Sequence, residues 1–180
     1  AAKLQSDEAS ALHADVLKLF DEWSTLEKID WCPIREDRPE VTVRRDIGCP
    51  AKAFKDKSVD LWGCGALGGV LAEWFVRAGV KKLTLRDFGT VTPGVLIRQP
   101  FYDSDIGHNK AEVLKRHLLD IRPDCEIECD SSNILTTLRN DLPCDYDLII
   151  DATASNLVLT RTEEILKHLK SDRPPLVSCV

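Results

Sequence analysis

The sequence predicts an α/β fold built on a doubly wound, mainly parallel sheet, preceded by an N-terminal helical and extended arm. Short apolar runs alternate with helical patterns after residue 57, as in a parallel sheet wound by right-handed crossovers. The first apolar run leads into glycines at G-x-G-x-x-G spacing and then into an apolar-striped helix. We therefore expect an arm over residues 1–57 and a sheet domain over residues 58–180 that is incomplete at its C-terminus.

The arm is expected to begin with an amphipathic helix over about residues 6–28. Apolar side chains recur there at helical spacing, after residues suited to a helix start. These apolar positions are Leu12, Val16, Leu19, Phe20 and Trp23. Residues 32–57 contain three prolines and one alternating run, 40–44, so we expect a linker that carries a single strand.

The sheet domain is expected to contain five strands and four helices. The strands are predicted over residues 59–62, 82–87, 125–129, 147–151 and 175–180. The helices are predicted from residue 67 to Gly79 and over residues 109–121, 132–139 and 157–169. The run "DLII" in the fourth strand is typical of a strand buried on both sides. We expect a Rossmann-like strand order of 3-2-1-4-5, helices over both faces, and a site where the order reverses.

Composition and charge narrow the classes of function. The chain has 180 residues, 30% of them charged, with both signs interspersed and a formal net charge of -6, which disfavours nucleic-acid binding. It has no apolar run long enough to span a membrane. Seven cysteines without a C-x-x-C pair favour free thiols and a cytoplasmic location. Because the chain starts at Ala1 and has no methionine, we expect a piece of a longer protein.

The glycine turn and the acid that follows it are typical of a nucleotide site. Gly63, Gly65 and Gly68 follow a strand and open a helix, so backbone amides and the positive helix end can face phosphates. Asp87 ends the second strand, 19 residues after Gly68, where a carboxylate can accept hydrogen bonds from ribose hydroxyls. These residues predict a nucleotide ligand, and by themselves they suit NAD and ATP alike.

The stretch beyond Asp87 favours ATP. The pair Arg98 and Gln99 is followed by the run 105–107, "DIG", and by Lys110 at a helix start. A nicotinamide enzyme has no use for these side chains at these distances, although Arg98 and Lys110 taken by themselves could be ordinary surface cations. Together with the glycine turn and the run "DAT" at 151–153, they resemble the ThiF/MoeB superfamily of ubiquitin-activating-like adenylyltransferases. The resemblance covers about residues 58–180 and indicates a divergent, bacterial-type member.

The resemblance implies an ATP-dependent enzyme that activates the C-terminal carboxylate of a ubiquitin-like or sulfur-carrier protein as an acyl-adenylate, with Mg²⁺. It implies that Arg98 and Lys110 are the catalytic cations. The implied nucleotide-binding residues are Gly63, Gly65, Gly68, Asp87, Arg98, Gln99, Lys110 and Asp151. The chemistry agrees, because a carboxylate that attacks the α-phosphorus brings two anions together, and fixed cations offset their charge.

Three positions depart from the family's pattern. Gly89 replaces the second acid of D-x-D-t-V, Val95 replaces the asparagine of N-L-x-R-Q, and Ala154 replaces the second acid of D-A-T-D-N. The resemblance implies that the last of these acids holds magnesium, so Asp151 is the nearest remaining candidate. The alternative is that Asp151 hydrogen-bonds the adjoining turn. A degenerate nucleotide-binding module without turnover and an NAD-dependent oxidoreductase remain the alternative functions.

Two further expectations concern the roles of two cysteines and of two arginines in the arm. We expect Cys179 to pack in the sheet core and Cys64 to contribute its amide rather than its thiol. Some superfamily members borrow an arginine from the N-terminal arm of a neighbouring subunit, so the resemblance implies Arg44 or Arg45 in that role and a homodimer. A solvated strand end is the alternative for these two arginines.

Overall fold

A computed structural model of the chain describes residues 2–25, 50–138, 142–168 and 174–179. The chain divides into two compact units, Ala1–Val43 and Arg44–Val180. The predicted strand at 40–44, together with Arg44 and Arg45, lies outside the described residues. The functional division between residues 57 and 58 stays a prediction.

In its described part, the first unit forms one helix, α1 (Ala2–Ser24). The helix was expected to begin near residue 6 and begins four residues earlier, since helix ends are the least certain part of a sequence-based assignment. The predicted apolar positions are exposed: Leu12, Val16, Leu19, Phe20 and Trp23. Among the described residues, no helix is both long and apolar enough to cross a membrane.

The second unit is a parallel sheet flanked by helices. Its described strands are β1 (Ser58–Trp62), β2 (Lys82–Arg86), β3 (Glu126–Asp130), β4 (Leu148–Asp151) and β5 (Leu176–Ser178). Its described helices are α2 (Ala66–Ala78), α3 (Lys110–Ile121), α4 (Ile134–Thr137) and α5 (Asn156–His168). The strand order is β3-β2-β1-β4-β5 and every pair is parallel. The predicted order of 3-2-1-4-5 and the Rossmann-like class are confirmed.

Local signals set the ends of the helices. Gly79 ends α2 in the left-handed conformation, with φ 92°, which favours glycine. The side chain of Asn109 caps α3 by accepting hydrogen bonds from two backbone amides. Asn133 caps α4 in the same way. Helix α4 is a single turn, shorter than the predicted 132–139, because Leu138 already leaves the helical conformation with ψ 68°.

Two apolar clusters hold the sheet against its helices. The first lies between the sheet and helices α2 and α3, and its strand residues include Val59, Leu61, Leu83 and Leu85. The second lies on the opposite face, where Trp62 and Ile149 pack with Val158 and Ile165 of α5. Strand β4 is buried over its last three residues, which confirms the prediction made from "DLII".

In the described part of the chain, the second face of the sheet is open at the edge strand β3, so the prediction of helices over both faces is wrong at that strand. Glu126 and Glu128 of β3 point outward, with 56% and 51% of their side chains exposed. Lys82 of β2 pairs with Glu128 on this face at 2.9 Å. Thr84 of β2 is buried on this face, where the Tyr146 hydroxyl donates to it. Helix α4 has only four residues, and the outward side chains of β3 meet solvent.

Candidate functional site

A cleft of about 740 Å³ opens beyond the carboxyl ends of β1, β2 and β4. It lies where the strand order reverses between β1 and β4, the usual ligand position in an open α/β sheet. Pockets for small molecules span roughly 300–1,000 Å³. Six of the eight predicted nucleotide-binding residues line this cleft: Gly63, Gly65, Asp87, Arg98, Gln99 and Lys110. Gly68 and Asp151 lie outside its lining.

Gly63 and Gly68 are required by close approaches of the backbone. Gly63 has φ 88°, and a Cβ atom there would lie 2.8 Å from the carbonyl oxygen of Ala152. A Cβ atom on Gly68 would overlap the carbonyl oxygen of Gly63. No side chain fits at either position. These two glycines therefore shape the turn itself.

Gly65 has no such requirement. It precedes α2 with φ -80°, and a Cβ atom there would meet only the Gln99 side chain, at 3.6 Å from Nε2. This is an ordinary van der Waals distance, so protein packing permits a side chain. Because the first amides of a helix have no intrahelical acceptors, the bare backbone at Gly65 leaves them open to a ligand in the cleft.

Asp87 joins the glycine turn to the end of β2. Its Oδ2 accepts a hydrogen bond from the Cys64 amide, and its Oδ1 accepts one from the Gly89 amide, both at 2.7 Å. Each carboxylate oxygen retains capacity for a second hydrogen bond, so Asp87 can still accept from a hydroxyl. A Cβ atom on Gly89 would lie 3.0 Å from Asp87 Oδ1. The conformation of Asp87 therefore leaves little room for an acid at position 89.

Arg98 and Lys110 bring positive charge to the cleft from two different elements. Arg98 follows a short 3₁₀ turn, Pro93–Val95, and Lys110 is the first residue of α3. Neither pairs with a carboxylate among the described residues. Gln99 adds a buried Oε1 that has no hydrogen-bond partner in the described part of the chain. Two uncompensated cations and an unsatisfied amide suit an anionic, polar ligand.

Asp151 is buried at the end of β4 and holds the turn that follows it. Its Oδ1 accepts hydrogen bonds from the amide and the hydroxyl of Thr153, at 3.0 and 2.7 Å. Its Oδ2 accepts a longer bond, 3.5 Å, from the Ser178 hydroxyl. Ala154 has φ 52°, a region that Asp and Asn tolerate better. The described residues include no group of three or more His, Cys, Asp or Glu side chains suited to a metal.

Sequence reasoning missed Arg86, which lines the cleft beside Asp87. Its Nε donates to both carboxylate oxygens of Asp60, at 2.8 and 3.0 Å, and its Nη1 donates to Asp130 at 2.5 Å. Asp60 is fully buried. Burial raises the pKa of Asp60, and the Arg86 charge opposes that rise. A charged residue inside the apolar run "SVDLW" was the signal that could have found this network.

The thiols near the cleft differ in their surroundings. Cys64 is fully buried, and burial, helped by the nearby Asp87 charge, raises the pKa of its thiol well above the ordinary value. A thiol in that state is a poor nucleophile at neutral pH. Cys179 is half-buried, lines the cleft and packs against the first apolar cluster.

The model of the ThiF family matches residues 43–165. The chain is 34% identical over 122 residues to the ATP-dependent ubiquitin transferase-like protein Cap2 of Enterobacter hormaechei subsp. hoffmannii (strain UCI 50), covering 64% of this chain and 20% of that protein. It is 34% identical over 131 residues to the adenylyltransferase and sulfurtransferase MOCS3 of Drosophila yakuba, covering 69% and 27%. The chain thus spans less than a third of the length of these relatives.

Solved structures share the fold. Escherichia coli MccB with ATP is 26% identical at a TM-score of 0.56, covering 62% of this chain and 35% of that one. The E. coli tRNA N6-threonylcarbamoyladenosine dehydratase TcdA, in complex with ATP, is 22% identical at a TM-score of 0.58, covering 81% and 61%. The family model spans more than half of the chain, and the strand order and glycine turn agree with it. The chain belongs to the ThiF family.

Proposed function

We propose that this chain is the ATP-binding part of an adenylyltransferase. Its reaction joins the C-terminal carboxylate of a ubiquitin-like or sulfur-carrier protein to AMP and releases pyrophosphate. The observation that carries the proposal is the pairing of Arg98 and Lys110, two cations without a described carboxylate partner, with the open backbone at Gly65 in one cleft. Relatives named as an adenylyltransferase and as an ATP-dependent transferase support it.

The phosphates of ATP lie along Gly63, Gly65 and the N-terminus of α2 in this proposal. Asp87 accepts hydrogen bonds from the ribose, and Gln99 offers its unsatisfied oxygen to the nucleotide. In the transition state, negative charge gathers on the non-bridging α-phosphate oxygens and on the departing pyrophosphate. The planar fork of Arg98 and the point charge of Lys110 stabilise that charge. Both side chains line the cleft in the structure.

The proposal includes a magnesium ion, for which Asp151 would supply a carboxylate ligand. Ala154 offers no ligand atom, so Asp151 is the nearest acid in the "DATAS" segment. Its Oδ2 is the less engaged oxygen, since its one described hydrogen bond is 3.5 Å long. A carboxylate oxygen is the kind of ligand that Mg²⁺ prefers, and the ion would neutralise phosphate charge.

A homodimer is also part of the proposal. An arginine from the arm of the second copy, Arg44 or Arg45, would reach the terminal phosphate of ATP. Replacing both arginines by alanine is expected to weaken ATP binding and turnover. Unchanged affinity and turnover in that double variant would remove this part of the proposal.

A nucleotide-binding module without turnover is the second candidate. Two observations favour it: the hydrogen bonds that Asp151 makes to the turn, and the absence of an acid at position 154. Exchange of labelled pyrophosphate into ATP in the presence of a carrier protein separates the two candidates. Only an adenylyltransferase forms the acyl-adenylate whose reversal incorporates the label.

Calorimetry that compares the binding of ATP, in the presence of Mg²⁺, with the binding of NAD tests which nucleotide the cleft holds. We expect the chain to bind ATP, and we expect Arg98→Ala and Lys110→Ala each to weaken it about tenfold or more, since a charge-assisted hydrogen bond contributes about 1.5–3 kcal/mol. Lys81→Ala is the matched control, because Lys81 is exposed just before β2, at the end opposite the cleft. Binding of NAD that is indifferent to both cations would show that the glycine turn serves a redox cofactor.

A further inference from the structure

Arg86 connects three neighbouring strands at the floor of the cleft. It lies at the end of β2, and its guanidinium donates to Asp60 of β1 and to Asp130 of β3. Its side chain is 13% exposed and that of Asp60 is completely buried. A guanidinium held by two carboxylates has little freedom to move, because each hydrogen bond fixes the plane of the group.

Asp130 carries this connection to a wall of the cleft. Its second oxygen, Oδ1, accepts a hydrogen bond of 2.9 Å from the Ser132 amide. Residues 132–135 line the cleft, and Leu135 gives this wall apolar surface, whereas Ile134 is largely buried in the second apolar cluster. An apolar wall suits the flat face of a nucleobase better than it suits phosphates. The network thus runs from a buried strand to the apolar side of the cleft.

The side chains of two consecutive residues therefore contact different parts of the cleft lining. Asp87 holds the glycine turn through the Cys64 amide, whereas Arg86 holds the apolar wall through Asp130. We propose that Arg86 and Asp130 are positioning residues for the base end of the nucleotide, which they serve by fixing residues 132–135 relative to the glycine turn. This inference rests on the proposed function, since it assigns one part of the same ligand.

The inference makes a specific prediction about two probes. ATP carries a base, and inorganic tripolyphosphate carries only the phosphate chain. Loss of the wall's position should weaken the binding of ATP and leave the binding of tripolyphosphate unchanged. The described partners of the Asp130 side chain are Arg86 and Ser132, and the backbone hydrogen bond from Asp87 to the Asp130 carbonyl remains when this side chain is replaced. A general loss of structure would weaken both probes. The ratio of the two dissociation constants therefore separates positioning from simple destabilisation.

Asp130→Ala is the first variant, since 30% of this side chain is exposed and the buried Asp60 keeps its partner. Arg86→Met is the second variant. It leaves Asp60 without its cation, so the thermal unfolding of Arg86→Met must be measured alongside its ligand binding. Glu128→Ala is the matched control. Glu128 is two residues earlier on β3, pairs with Lys82 and does not line the cleft.

Calorimetry on the full chain measures the dissociation constants of ATP and tripolyphosphate for each variant. We expect Asp130→Ala to raise the dissociation constant of ATP about tenfold and that of tripolyphosphate less than twofold, while Glu128→Ala changes neither beyond twofold. An ATP affinity within twofold of wild type in Asp130→Ala, or equal weakening of both probes, overturns the inference. If Arg86→Met does not fold, Asp130→Ala decides alone. A wild-type chain that does not bind ATP overturns the proposed function, and this inference with it.

Discussion

Gly65 offers a direct test of what the glycine turn holds, because alanine there should affect the ligand more than the protein. The added methyl group would meet only the Gln99 amide, at 3.6 Å from Nε2. The backbone φ of -80° is ordinary for alanine, whereas the ψ of -149° lies outside the two main regions that alanine prefers. Gly68 is the opposite case in the same turn, since a methyl group there would overlap the Gly63 carbonyl oxygen.

The two substitutions should therefore affect different properties: Gly65→Ala mainly lowers the affinity for ATP, and Gly68→Ala mainly lowers the free energy of unfolding. Gly65→Ala should lower the free energy of unfolding by about 1–2 kcal/mol, because the methyl group has room but the ψ of -149° is unfavourable for alanine. Its methyl group should push phosphate oxygens away from the amides of α2. Loss of one such charge-assisted hydrogen bond, about 1.5–3 kcal/mol, weakens ATP binding roughly 10- to 100-fold. Gly68→Ala should lower the free energy of unfolding by about 3 kcal/mol or more, because the backbone must move.

Urea denaturation and calorimetry with ATP and Mg²⁺ measure both quantities on the same preparations. The expected pattern is a mildly destabilised Gly65→Ala that binds ATP poorly and a more strongly destabilised Gly68→Ala. A folded Gly65→Ala variant with wild-type ATP affinity would refute the placement of phosphates at this turn. A strongly destabilised Gly65→Ala would instead show that packing requires this glycine.

Three further predictions concern other parts of the second unit. Ala154→Asp should fold with wild-type stability, because Asp tolerates the left-handed φ of 52°, and it should increase Mg²⁺-dependent pyrophosphate exchange severalfold; an unchanged rate would contradict a metal role for this position. Asp147→Asn should lower stability at pH 7 by about 1 kcal/mol or less, since hydrogen bonds, foremost from the Ser58 amide, lower the pKa of Asp147 from 3.8. That stability is present above the ordinary pKa and is lost as the pH falls through the lowered pKa, so the difference between variant and wild type in urea denaturation should shrink as the pH falls below 3.8. Iodoacetamide at pH 8 should modify the exposed Cys144 and spare the buried Cys64 in the native chain, which peptide mass spectrometry can read; equal labelling would contradict the raised thiol pKa.

Strand order and much of the cleft were predictable because they depend on local spacing. A strand, a glycine turn and a helix in succession place Gly63 between the carboxyl end of a strand and the N-terminus of a helix, where phosphates bind. The resemblance of the motifs that contain Arg98 and Lys110 to the ThiF/MoeB superfamily implied that these side chains share one site with Asp87, and the structure does bring all three to one cleft.

Contacts between strands were not predictable in the same way. Asp60 and Arg86 are 26 residues apart, and they meet only because the register sets β1 beside β2. The open face over β3 was missed for a related reason. Its cover depends on the length of α4, which ends where Leu138 leaves the helical conformation, and no glycine or proline marks that position.

The polar face of β3 has a consequence for solubility. Strand β3 is at one edge of the sheet that the described strands form, and an uncovered edge strand can pair with the sheet of another molecule and start aggregation. Glu126 and Glu128 place carboxylates along that strand, and Lys82 beside them is engaged by both. Charged side chains on an exposed edge disfavour such pairing, so this half of the sheet can stay open to water without a longer helix over it.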